Sequence, residues 1–482
     1  MIMIRARSRW LVAGVAAAML AATTPAASAA RDDGRLSWRD CGGQGVVAGM
    51  RCAAIEVPAD WAEPRGRKIT LEVARLPATE PARRIGTVLG ISSGYGIQEL
   101  SRSAADLAEL RRRFDLVGFD TRVTHWIARM PEVCKQPGAS LHDPRGEKDF
   151  AELAAGMKAA FEKCRQADPT GLFAHLDALS VARDTEAIRR ALGGERASFM
   201  AGGMGGVAAA AYARLFPHRV RAMYVDGVNN QTEGWPAQRL RYLPVLQKMV
   251  TRFAGWCADT PACALHGEDA EAVWRRLVRD ADRHPIPVTS SRYGEGELTG
   301  WLLTSTTIPP DPGPRNAAWL AFADAVDRAR RGDGSGFADQ ALGAASFVAM
   351  PGAQVMSCGD DRAYGSYAQL EDYRRKARDL APEYAGAEIT LLGCAGWPLP
   401  VANPARPLPT GALPPVLGVG TTWVDQVATE SFTRMIPGSV TVAYDGPGHV
   451  TYLSGRKCPI RYATAYLTDL ELPRPGTVCP AE

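Results

Sequence analysis

The stretch Ala197-Ser198-Phe199-Met200-Ala201-Gly202-Gly203-Met204-Gly205-Gly206 decides how this chain is read. A short apolar run enters a glycine-packed turn, and an alanine-rich run then continues to the neighbourhood of Pro217. Strand, sharp turn and helix in that order form the context in which G-x-S-x-G presents a catalytic serine. Here Gly203 stands in the serine's place, with Ala201 and Gly205 as the small flanking residues. Glycine carries no attacking atom, and it adopts the positive φ of such a turn without strain. The sequence therefore predicts an intact elbow that lacks its nucleophile.

Working outward, the pattern alternates strand and helix. Strands are expected at 85–89, 114–120, 197–201 and 220–225, with helices at 104–114, 149–164, 180–192 and 206–215. That rhythm argues for an α/β fold with a doubly wound, mostly parallel sheet. Between 231 and 400 the periodicity turns helical, at 268–283, 317–331 and 367–380, with proline-rich loops between. This segment reads as an inserted helical cap. Strands at 415–420 and 440–444 return the chain to the sheet, and Asp445-Gly446-Pro447-Gly448 then forms a turn carrying His449. The expected division is a leader at 1–29, core at 36–230, cap at 231–400 and core again at 401–482.

Composition sets the compartment. Residues 1–29 have the layout of a secretory signal: Arg5, Arg7 and Arg9, an apolar run at 10–22, and Ala27-Ser28-Ala29 as a cleavage site. The mature protein is expected to be secreted and to leave the membrane after cleavage. The ten cysteines fall in order as five local pairs: Cys41 with Cys52, Cys134 with Cys164, Cys257 with Cys263, Cys358 with Cys394, and Cys458 with Cys479. In an oxidising compartment they read as disulfides, although sequence alone leaves connectivity open. No C-x-x-C or H-E-x-x-H occurs, so neither a metal nor another cofactor is expected. With 56 Lys and Arg against 52 Asp and Glu, the net charge of +4 gives no nucleic-acid footprint. Oligomeric state is not readable.

Several stretches together carry a resemblance: Cys52-Ala53-Ala54-Ile55-Glu56-Val57-Pro58, Phe114-Asp115-Leu116-Val117-Gly118-Phe119-Asp120, Val225-Asp226-Gly227-Val228, Cys394-Ala395-Gly396-Trp397-Pro398 and Tyr444-Asp445-Gly446-Pro447-Gly448-His449. With the cysteine layout, they resemble secreted bacterial α/β-hydrolases of the tripeptidyl aminopeptidase type, which are themselves similar to proline iminopeptidases. The resemblance spans nearly the whole mature chain. It implies an α/β-hydrolase fold and a serine exopeptidase acting on protein N-termini, with short peptides as partners beneath the cap.

Four departures fall at the chemistry. Gly203 replaces the elbow serine. The glycine-rich oxyanion loop becomes Ser92-Ser93-Gly94-Tyr95-Gly96-Ile97, leaving Ser93, Gly94 and the backbone of Met204 as oxyanion donors. The D-P-R-G-x-G segment becomes Asp120-Thr121-Arg122-Val123-Thr124-His125. The acid motif becomes Gly420-Thr421-Thr422-Trp423-Val424-Asp425, which puts Val424 at the acid position and Asp425 one place late. In an extended segment Asp425 would face away from His449; in a curled loop it serves as a displaced acid. His449 is the retained base.

These losses read as a pseudoenzyme, inactive or severely impaired, that keeps peptide binding. Two alternatives stand beside it. Gly90-Ile91-Ser92-Ser93-Gly94 is a literal G-x-S-x-G, so an active hydrolase could use Ser92 with His449. The cap could also serve as a protein-interaction module.

Overall fold

The structure, a computed structural model, describes residues 36–42, 46–91, 96–305, 308–309, 312–384 and 387–482. The expected leader lies outside them. Among the described residues, ten strands form one sheet: β1 Arg39–Asp40, β2 Arg51–Pro58, β3 Lys68–Leu76, β4 Gly86–Ile91, β5 Phe114–Phe119, β6 Ala197–Gly202, β7 Val220–Asp226, then β10 Leu417–Thr421, β11 Val440–Asp445 and β12 Val478–Pro480. The intervening β8 Ile286–Ser290 and β9 Gly294–Leu298 make a separate antiparallel hairpin.

The sheet order is β1-β2-β3-β5-β4-β6-β7-β10-β11-β12. It is parallel from β5 to β12, and β1 to β3 add an antiparallel edge. The expected doubly wound α/β sheet is the one observed. β5 is buried along its entire length, as a strand covered on both faces must be. The order reverses between β4 and β6, where open α/β sheets place their ligands, beyond the carboxyl ends of the strands.

The helix expected at 104–114 is instead two short ones, Gly96–Arg102 and Ala108–Arg111. Gly96 lies so close to β5 that a Cβ there would sit 2.4 Å from the Phe119 carbonyl oxygen. The first helix is pinned at that point, and the chain must turn before Leu107 and Leu110 can enter the core beside Leu100. The elbow helix Gly205–Leu215 is buried almost all round, which explains its run of alanines.

The segment 231–400 contains the expected helices as Ala270–Arg283, Ala317–Ala329 and Tyr367–Leu380. The sequence pattern does not predict the β8–β9 hairpin, because Pro287, Glu295 and Glu297 disguise its alternation. Nor does this segment pack by itself. Residues between β5 and β6 join its core, with Phe161 edge-on to Trp397 at 5.0 Å and Phe173 stacked on Trp397 at 5.4 Å.

The cysteines settle the connectivity that the sequence leaves open. Cys41 bonds to Cys52, Cys134 to Cys164, Cys257 to Cys263, Cys358 to Cys394, and Cys458 to Cys479. None of these ten residues belongs to the reacting centre; their work is to brace loops. Cys164 anchors the long helix Glu147–Ala167 to the segment before it, and Cys263 closes a short loop after the helix Trp235–Asp259. Cys479, on the edge strand β12, ties the C-terminus to the helix Lys457–Asp469.

A buried ion pair ties the cap-side segment to the sheet: the Arg122 guanidinium donates to both Asp184 carboxylate oxygens at 2.7 Å. Its remaining donors reach the carbonyls of Pro58, Ala59 and His175. Both side chains are fully buried.

Candidate active site

The turn between β6 and the helix Gly205–Leu215 has the backbone of a nucleophile elbow. Gly203 has φ +50°, a left-handed conformation that favours glycine. Its N–H is tied to the Asp226 carbonyl at 3.1 Å. Two neighbouring glycines permit the close approach: a Cβ on Gly206 would lie 2.4 Å from Val228 Cβ, and one on Gly202 would lie 2.7 Å from Val450 Cγ1. Met204 opens the helix, where the first backbone N–H groups have no intrahelical acceptor and can serve an oxyanion.

His449 meets this turn from the other side. A Cβ built on Gly203 would stand 3.0 Å from His449 Nε2, the atom that takes a nucleophile's proton in a serine triad. The opposite ring nitrogen, Nδ1, is 2.5 Å from Asp425 Oδ2. Asp425 Oδ1 in turn accepts the Thr421 N–H at 2.7 Å. This carboxylate favours the imidazolium form over the neutral ring and so raises the His449 pKa above its ordinary value.

The acid position is therefore corrected from Val424 to Asp425. After β10 the chain does not stay extended. Asp425 N–H bonds back to the Thr421 carbonyl at 3.2 Å, and Val424 N–H bonds to both the carbonyl and the hydroxyl of Thr421. That curl absorbs the one-residue displacement. Val424 lines the neighbouring cleft instead. Space for the pair is made by Gly227, at φ +59°, where a Cβ would fall 2.6 Å from Asp425 Oδ2 and 3.0 Å from His449 Nδ1.

Sequence reasoning missed the support behind this pair. Asp226, buried at the end of β7, accepts hydrogen bonds from Tyr224 Oη, Thr451 N–H and Oγ1, and Tyr452 N–H. It thereby ties down the two residues that follow Val450. Burial pushes its carboxyl pKa up to about 6. Val450 sits at φ +53°, a strained conformation for a β-branched residue. The available signal was Val225-Asp226-Gly227, a polar residue closing a buried strand. Ser92, Ser93 and Gly94 lie outside the described residues. Among the described residues, no cluster of three or more His, Cys, Asp or Glu could hold a metal ion.

Two family models match the chain: one described as alpha/beta hydrolase fold over residues 142–296, and one described as TAP-like protein over 383–479. The first contains the elbow, and the second contains both Asp425 and His449.

This chain is an α/β-hydrolase-fold protein.

It is similar to serine protease Hip1 of Mycobacterium tuberculosis, 26% identical over 476 residues, covering 90% of this chain and 88% of that one. Tripeptidyl aminopeptidase of Streptomyces lividans is 26% identical over 431 residues, 82% of this chain and 76% of that protein. Carboxylesterase B of M. tuberculosis is 26% identical over 483 residues, with 92% and 89% covered. The α/β-hydrolase-fold chain thus resembles tripeptidyl aminopeptidases and Hip1 along most of its length.

Beside the dyad this hydrolase-fold protein has a cleft lined by Asn229, Trp235, Gln238, Arg239, Tyr242 and Leu391 among others. Neither end of the Gln238 amide has a protein partner, although both atoms are buried. A stacked pair, Trp319 and Trp423 at 6.0 Å, joins the cap helix Ala317–Ala329 to the turn that carries Asp425.

Proposed function

We propose that this is an exported α/β-hydrolase-fold protein that binds short peptides or protein N-termini in the cleft beneath its cap and forms no acyl-enzyme at its elbow. One observation carries the reading: the residue facing His449 Nε2 is Gly203, which has no oxygen to acylate. Loss of a triad nucleophile costs about a million-fold in turnover, or roughly 8 kcal/mol of barrier. The cleft is lined by Asn229, Arg239 and Tyr242 among apolar neighbours, polar side chains of the kind that pair with peptide groups. The five disulfides and the leader-like first 29 residues support export.

A second reading has Ser92 as nucleophile. It is favoured by the formed His449–Asp425 pair and by the pairing of Ile91, the last residue of β4, with Ala201 beside the elbow. Calorimetric titration with short peptides, alongside turnover of N-terminal tripeptide chromogenic substrates by the parent and Ser92→Ala, separates the two. Binding without turnover is expected. Triad-level turnover that disappears in Ser92→Ala would replace the first reading with the second.

A further inference from the structure

We propose that His449 and Asp425 act as a general-base dyad that draws a proton from water, giving the protein a slow ester hydrolysis with no covalent intermediate. The proposal rests on the reading that no acyl-enzyme forms at Gly203.

Three features of the geometry carry it. The first is that the dyad is fully built. Nδ1 of His449 is held by Asp425 Oδ2 at 2.5 Å, Asp425 Oδ1 is held by the Thr421 N–H at 2.7 Å, and Gly227 leaves the room both groups need. The loop behind the histidine is tied to Asp226 through Thr451 N–H, Thr451 Oγ1 and Tyr452 N–H. The second is the direction of Nε2. It faces the elbow, where Gly203 carries no side chain and a Cβ would stand 3.0 Å from it. The third is access. The His449 side chain is 53% exposed while Asp425 is 7% exposed, so solvent reaches the ring but the orienting carboxylate stays sheltered. A base with one nitrogen fixed and its ring exposed to solvent has the arrangement that general-base catalysis requires.

The step balances without a co-reactant. A water O–H proton passes to His449 Nε2 as the water oxygen bonds to the ester carbonyl carbon, and the carbonyl π pair moves to oxygen. Backbone N–H groups at the start of the helix Gly205–Leu215, with Met204 foremost, are placed to receive that charge. Collapse then re-forms the carbonyl, breaks the acyl–oxygen bond and returns the proton from Nε2 to the departing alcohol oxygen. The products are a free acid and an alcohol. The substrate class is small, unhindered esters with good leaving groups.

The test is steady-state and pre-steady-state release of p-nitrophenol from p-nitrophenyl acetate by the full chain, with His449→Ala beside it. The parent should release product linearly without a burst. Its rate should climb with pH through a single ionisation above that of free histidine, because the protonated ring is no base. His449→Ala should lose about a hundredfold, the lower end of what a positioned base contributes. Equal rates in parent and variant would overturn the proposal. If the variant fails to fold, a flat pH profile in the parent overturns it just as well. A burst with covalent label retained on the protein means instead that the reading beneath the proposal has failed.

Discussion

At the scale of single residues, the site is defined as much by missing side chains as by present ones. Gly203 removes the nucleophile, yet Gly227 creates the space in which Asp425 and His449 meet. Gly227→Ala should break that pair. Its Cβ would overlap Asp425 Oδ2, and φ +59° would strain any L side chain, for a combined cost of about 3 kcal/mol. The signature is a lower unfolding midpoint together with loss of the downfield proton resonance expected for His449 Nδ1–H. An unchanged resonance would show that the pair tolerates the methyl group. The elbow glycine was legible because its strand–turn–helix setting is local in sequence. Asp425 stood between two readings, since its role depends on a curl set by hydrogen bonds to Thr421 that the sequence does not fix.

Among elements, the sheet core could be read from its alternation, and the strands either side of the elbow fall within a residue or two of expectation. The disulfides were legible for a similar reason, since each joins cysteines that are neighbours in the cysteine order. What stayed hidden were contacts between distant elements. The antiparallel edge β1 to β3 is one case: β1 is only two residues long and β2 has no regular alternation, although β3 sets buried Ile69, Leu71 and Val73 between Lys68, Thr70 and Glu72. Arg122 is another: it stands at a motif position of the resembling proteins, but its partner Asp184 is 62 positions away on a helix. The pair is fully buried with every guanidinium nitrogen engaged. Arg122→Ala should therefore cost about 3–5 kcal/mol, because it strands a buried carboxylate. Urea unfolding measures this, and a loss below about 1 kcal/mol would mean water reaches Asp184 after the change.

For the whole molecule, three titrating groups point the same way in pH. Burial raises the carboxyl of Asp226 to about 6 and that of Asp360 to about 8, so the native state keeps protons that the unfolded chain releases near pH 4. Their contribution to stability falls as pH rises through that window. The raised His449 pKa adds to the trend, since its stabilisation is complete at low pH and is lost as the ring deprotonates. Stability from denaturant midpoints should thus decline from about pH 5 to about pH 8.5, and Asp360→Asn should flatten the upper half. A rise over that interval would contradict the assignment.

The claim on which the account depends is that a working dyad faces an elbow with no nucleophile. Fluorophosphonate labelling of the parent and of Gly203→Ser, with the adduct located by peptide mass mapping, tests it most directly. The serine must take a left-handed backbone, at about 1–2 kcal/mol, and His449 must yield by a few tenths of an ångström to admit the Cβ at 3.0 Å. The expected result is no label on the parent and a label on residue 203 of the variant, with no gain from adding Val424→Asp. An adduct on any side chain of the parent's cleft, or a Gly203→Ser protein that labels only after Val424→Asp, would contradict it.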